Sequence, residues 1–135
     1  MKKLFCTTTL FLLAFMVWSQ ARPVKIAFDM SSKDTLAHQT VLRHVTMMAS
    51  AYPESQFEVV VYGPALQMVL KDESTIEKGV RALAANQNVS FKACAITMKR
   101  HNIDTSQLLP GVDVVPDAII ELVTKQAEGW GYIKE

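Results

Sequence analysis

The sequence predicts an α/β domain, a three-layer sandwich in which a mostly parallel sheet of four to five strands, flavodoxin-like in architecture, carries helices on both faces. Three observations predict it. Short runs rich in apolar and β-branched residues recur along the chain, stretches with helical periodicity lie between them, and turn residues separate the two. Alternation of this kind resolves into right-handed βα crossovers, which leave successive strands parallel. No repeats, linkers or low-complexity tracts interrupt it.

The chain opens with Met1-Lys2-Lys3, an apolar run at 10–18, and Ser19-Gln20-Ala21, with small residues where a signal peptidase reads. Residues 1–21 are therefore expected to be a secretory signal peptide of bacterial type, and the run is short of the about 20 residues a membrane span needs. The expected product is exported, periplasmic or extracellular, with no membrane association after cleavage. Cys6 leaves with the signal. The remaining 22–135, about 114 residues, suit one domain.

Val24-Lys25-Ile26-Ala27-Phe28 reads as the first strand, followed by the polar turn Asp29-Met30-Ser31-Ser32-Lys33. A helix over 34–51 follows, because Ala37, Val41, Val45 and Met48 recur at helical steps, with Leu42 and Ala49 widening the stripe. Pro53 ends it. The run 57–62 is a second strand closed by Gly63-Pro64, a short helix fits 65–70, and Ser74-Thr75-Ile76-Glu77 has capping-box spacing for a helix to Ala85. A third strand spans 89–93, and a helix opens at Cys94. Asp104-Thr105-Ser106-Gln107 repeats the cap spacing, Pro110-Gly111 turns the chain, and 112–115 is a fourth strand. Pro116 suits the first helical position of a helix to Ala127, Gly129 stops it, and 130–133 is a last strand.

Composition narrows function. Without Lys2 and Lys3, 12 basic residues face 13 acidic ones, a formal charge of −1, so nucleic acid and anionic membrane are poor partners. No glycine-rich phosphate loop, Gly-x-Ser-x-Gly elbow or Cys-x-x-Cys pair occurs, and no cofactor is expected. No metal is expected either, because His38 and His44 stand about 240° apart around a helix. His38 reads as a partly exposed polar residue, and His44 as flanking the packed stripe. Asn88-Val89-Ser90 matches a glycosylation pattern by coincidence.

Cys94 is the residue placed for chemistry. It is the only cysteine left after export, which precludes an internal disulfide, and it stands between a strand and a helix whose free N–H groups favour thiolate. In parallel sheets, reactive groups collect beyond the carboxyl ends of the strands. Those ends are 29–33, 62–65, Cys94 and 115–117. Lys99, Arg100 and His101 lie at the far end of the helix, where they complement its dipole, and read as caps or surface charge. Asp29 reads as a turn or capping aspartate, with orientation of a ligand or partner thiol as the alternative. Trp130 and Tyr132 read as core. A free cysteine is also commonly a small buried packing residue.

The segments Phe91-Lys92-Ala93-Cys94-Ala95-Ile96-Thr97-Met98-Lys99, Leu108-Leu109-Pro110-Gly111-Val112, Val115-Pro116, Glu121-Leu122, Gln126 and Glu128-Gly129-Trp130-Gly131-Tyr132 keep a distinctive order. Together with Tyr62-Gly63-Pro64, they resemble the small exported members of the DsrE/DsrF-like family over essentially the whole of 22–135. The resemblance implies a small α/β sandwich assembled as a homo-oligomer, a trimer or hexamer. It also implies sulfur carried as a persulfide on a cysteine after a central strand, a position that Cys94 matches. Asp29, Ser31, Tyr62, Gly63, Pro64 and Ala95 would shape the pocket, with the Ala95 amide supporting the thiol. Tyr62 stands where many relatives have histidine, and Asp117 where small residues are common.

The expected function is thus reversible thiol chemistry at Cys94 as a sulfur carrier, with a sulfur donor or acceptor protein as partner. The alternative is a non-catalytic oligomeric module that binds a small ligand or protein, with Cys94 buried as packing. A third reading is a redox-sensing thiol that pairs between chains.

Overall fold

The computed structural model describes residues 22–135, and the expected signal segment lies outside the described residues. Five strands form one parallel sheet in the order β4-β3-β2-β1-β5. They are β1 (Lys25–Met30), β2 (Gln56–Val61), β3 (Val89–Cys94), β4 (Val112–Val115) and β5 (Gly131–Lys134). Four α-helices connect them: α1 (Thr35–Ala51), α2 (Glu77–Ala84), α3 (Ala95–Arg100) and α4 (Ala118–Ala127). Two 3₁₀ helices, Gly63–Val69 and Thr105–Gln107, complete the crossovers.

Handedness decides which face each helix covers. The first three crossovers step the same way across the sheet, so their helices fall on one face; the fourth returns from β4 to β5 and places α4 on the other. Alternation within the strands matches this division. Phe28, Phe57, Val59 and Phe91 point to the first face and pack against Val41 and Val45 of α1 and Val80 of α2. Burying each of these phenylalanines contributes about 2–3 kcal/mol. Ala27, Val60 and Cys94 point to the second face, under Ala118 and Leu122 of α4. The sandwich is therefore lopsided, with one face thickly covered and the other roofed by a single helix.

Several local expectations are corrected. α2 begins at Glu77 with Ile76 as its N-cap and no side-chain cap; Ser74 lies too early to cap it, its hydroxyl donating to the Met68 carbonyl at 2.6 Å while its Oγ accepts the Ile76 amide at 3.3 Å. Pro116 precedes α4 rather than opening it; Asp117 is the N-cap and accepts from the Ile119 amide at 2.8 Å. His38 is 1% exposed, its Nε2 held 2.7 Å from the Ser32 carbonyl, so it belongs to the interior. Tyr132 is exposed on the edge strand β5 instead of lying in the core, while Trp130 packs partly buried on the second face. The capping box at Asp104 forms as expected, though it caps only a 3₁₀ turn.

Candidate functional site

Cys94 ends β3 and is at once the N-cap of α3. Its neighbour in register is Val115, the last residue of β4. These two strands send their helices to opposite faces, α3 to the first and α4 to the second, so their carboxyl ends part at a topological switch point, where parallel sheets place ligand chemistry. Sγ lies on the second face, beneath the first turn of α4. There the Ala118 amide, the first of the helix, donates to Sγ at 3.4 Å.

Two helix starts thus converge on one sulfur. Burial of Cys94, which is 4% exposed, would push the thiol up; the amides of Thr97, Ala118 and Ile96 and the Thr97 hydroxyl more than offset it and hold the thiol below its ordinary range. Ala118 makes the regular hydrogen bond, whereas the α3 amides act by proximity without forming a capping bond. Ala95 follows Cys94 directly as the first residue of α3.

Thr97 is the member of the site that sequence reasoning missed. It is buried, and its Oγ1 accepts the Gly63 amide at 3.1 Å, which leaves its own O–H proton to favour the thiolate. Thr97 therefore ties the turn after β2 to the sulfur after β3. Its position three residues beyond the N-cap was the available signal, since that is where a helix turns back toward its cap. Gly63 has φ +56°, the left-handed region that glycine enters freely, and this aims its amide at Thr97.

The other expected pocket residues divide into two groups. Tyr62 packs with the Cys94 cluster. Gly63 and Pro64 line a cavity of about 350 Å³ with Gln67, His101, Asn102 and Gln107, and Cys94 is not part of its wall. Asp29 and Ser31 belong to a polar cluster at the β1–β5 edge, with β2 between them and Cys94. Asp29 is 5% exposed; it accepts the Tyr132 hydroxyl at 2.5 Å and the Lys134 ammonium at 3.0 Å, and Lys134 also donates to Ser31 at 2.7 Å. Asp29 is therefore a paired strand residue and not the turn or capping aspartate expected. The hydrogen bond to Asp29 pushes Tyr132 above its ordinary value. Lys134 lies 5.7 Å from the Tyr62 ring centroid, which links this cluster to the Cys94 side. Among the described residues, no three metal-ligating side chains gather, and no helix is long and apolar enough to cross a membrane.

A parallel α/β sandwich that holds, among the described residues, one cysteine at its switch point under two helix starts defines a small thiol-bearing domain without a phosphate-binding loop. The chain belongs to the DsrE/DsrF-like family, whose model matches residues 24–134. This is a family assignment of the sulfur-relay type. Among solved structures, it is similar to MTH1491 from Methanobacterium thermoautotrophicum, a protein of unknown function, at 28% identity and a TM-score of 0.77, covering 83% of this chain and 99% of that one. The ychN protein from E. coli matches at 17% identity and a TM-score of 0.70, over 85% of this chain and 100% of that one. BT1422 from Bacteroides thetaiotaomicron, a conserved protein of unknown function, matches at 11% identity and a TM-score of 0.69, over 82% and 94%. The last two likenesses establish the fold alone. No protein of curated function matches the chain.

Proposed function

We propose that this protein is an exported sulfur carrier that holds sulfane sulfur as a persulfide on Cys94. The observation that carries the reading is a thiol kept below its ordinary range despite burial, under the Ala118 amide at the switch point. The Cys94 thiolate attacks the outer sulfur of a persulfide or polysulfide donor. A new S–S bond forms on Cys94, the donor's S–S bond breaks, and the donor leaves as a thiolate with the bonding pair. An acceptor thiolate then attacks the outer sulfur and returns Cys94 as thiolate, so the cycle is redox-neutral. The donor and acceptor are thiol proteins or low-molecular-weight thiols.

Export rests on the signal-like residues 1–21. Assembly as a trimer or hexamer is supported by the outer side of α4, where Ile119, Ile120 and Val123 stand 52%, 61% and 56% exposed in one apolar patch. A second reading, a binding module in which Cys94 is packing, is favoured by the low exposure of Cys94 and its place among Ala27, Val60 and Leu122.

Polysulfide treatment separates the two readings. Intact mass of the 22–135 chain should rise by one or more sulfur atoms, and Cys94→Ser should abolish the gain. If wild type gains no sulfur and resists alkylation until unfolded, the carrier reading is dead and the packing reading stands. A mass that doubles on oxidation and halves on reduction would move the function to an inter-chain disulfide.

A further inference from the structure

A second charged group lies beneath α4, away from Cys94. Glu58 points from β2 to the second face of the sheet and is only 2% exposed. Its Oε2 accepts the Ser90 hydroxyl at 3.2 Å and stands 3.3 Å from Lys125 Nζ. The same ammonium lies 3.5 Å from Glu121 Oε1, one turn back on α4, and 4.5 Å from the Trp130 ring centroid. Glu58 Oε1 is buried with no hydrogen-bond partner.

An ionised carboxylate oxygen left in that position would forfeit the hydration it has in the unfolded chain, with no donor in exchange. The missing donor is a proton. With Glu58 protonated, its O–H can donate to the adjacent Glu121 carboxylate, the orphaned oxygen is satisfied, and the group as a whole (one carboxyl, one carboxylate, one ammonium) is neutral. With both carboxyls ionised, the same buried space carries a net negative charge and two like charges face each other.

We propose that Glu58 and Glu121 share one proton, that this proton fastens α4 to the sheet, and that its loss loosens the helix whose first amide holds the sulfur of Cys94. The proposal stands on the Glu58–Glu121–Lys125 geometry and on the Ala118–Sγ contact, and it holds whether or not Cys94 carries sulfur.

The surroundings agree. Burial pushes the Glu58 carboxyl above its ordinary value of 4.5, with Glu121 adding to the rise and Lys125 opposing it. For Lys125, burial works against the ammonium, but Glu58, Glu121 and Glu128 hold it above its ordinary value. Other charges on this face are engaged elsewhere. From β3, Lys92 pairs with Asp113 of β4 at 2.7 Å, and from β1, Lys25 sits 5.9 Å from the Trp130 ring centroid. Because the folded pKa of Glu58 is raised, the clamp is complete below the ordinary value of 4.5 and is lost as pH climbs through the folded value.

Two measurements on the 22–135 chain test this. In wild type, protection of α4 amides against hydrogen exchange, after removal of the intrinsic pH dependence, should fall roughly tenfold per pH unit between the ordinary and the folded pKa, then level. Glu58→Gln, which mimics the protonated carboxyl, should keep α4 protected and remove that slope. A carbon-13 titration of glutamate carboxyls in wild type should show one carboxyl titrating above the others. If every glutamate carboxyl titrates in the ordinary range, or if Glu58→Gln keeps the wild-type slope, the shared proton is refuted. The carboxyl titration needs no variant, so it decides the matter even if Glu58→Gln folds poorly.

Discussion

Replacing Thr97 with valine removes one hydroxyl while keeping the shape and β-branching of the side chain, so it isolates the link between Gly63 and Cys94. In the native site, Thr97 Oγ1 accepts the Gly63 amide at 3.1 Å and its hydroxyl favours the thiolate. Two effects follow. The Gly63 amide loses its acceptor in a partly buried position, which costs about 1–2 kcal/mol of stability. The thiolate loses a donor, and a hydrogen bond to a charged group contributes about 1.5–3 kcal/mol, equivalent to about one to two pKa units at 1.36 kcal/mol per unit. Because the amides of Ala118, Thr97 and Ile96 remain, the expected rise for Cys94 is at the lower end, about one unit. The assay is the pH dependence of iodoacetamide alkylation in the 22–135 chain, where Cys94 is the only thiol. Its midpoint should move up by about one unit, and the rate below the midpoint should drop about tenfold. Thr97→Ser should restore both stability and midpoint. An unchanged midpoint in Thr97→Val, or a serine variant that behaves like valine, would refute the role given to the hydroxyl.

Asp29→Asn should weaken the β1–β5 edge, since the Lys134 ion pair loses its charge and the Tyr132 bond is remade to a weaker acceptor. The expected loss is about 2 kcal/mol, read by denaturant unfolding, with faster amide exchange in β5 and a tyrosine titration moved back toward its ordinary value. Two glycines should separate backbone strain from crowding. Gly111→Ala meets the Ala84 Cβ at 2.8 Å as well as φ +84°, whereas Gly129→Ala at φ +86° meets nothing within 4 Å. Both variants should lose about 1 kcal/mol or more to the left-handed conformation, and Gly111→Ala should fall clearly further in thermal unfolding. Equal losses would mean that the loop at Gly111 moves away.

The sheet was legible because each strand announces itself locally. The run 57–62 is β-branched and bounded by Gly63-Pro64, and β2 forms within one residue of it. The stripe at Val41 and Val45 likewise named the buried side of α1. Cys94 could be placed because a strand-to-helix junction is also a local pattern. What escaped depends on partners that only the folded chain reveals, most of them distant in sequence. Asp29 reads as a turn residue until Tyr132 and Lys134, more than a hundred positions later, are set beside it by β5. His38 reads as exposed because the Ser32 carbonyl that satisfies it is invisible in a residue pattern. Glu58 interrupts an apolar strand without explanation until α4 brings Glu121 and Lys125 over it. Ser74 shows the reverse error, a cap spacing whose Oγ accepts the amide of Ile76 in a turn before the helix, with its proton given to Met68.

The pairing of β5 with β1 also has a kinetic meaning. Asp29 and Lys134 are separated by 105 positions, among the longest loops that side-chain pairs in the described fold must close. While a ribosome is still making the chain, β1 to β4 can pair in order of appearance, but the carboxylate at the edge of β1 waits without its partners. Contacts of such span are costly to close and form late, so β5 should be the last piece to dock and the first to fray. A protease or chaperone that surveys this protein would then meet its unfinished state at one known place, the bare edge of β1.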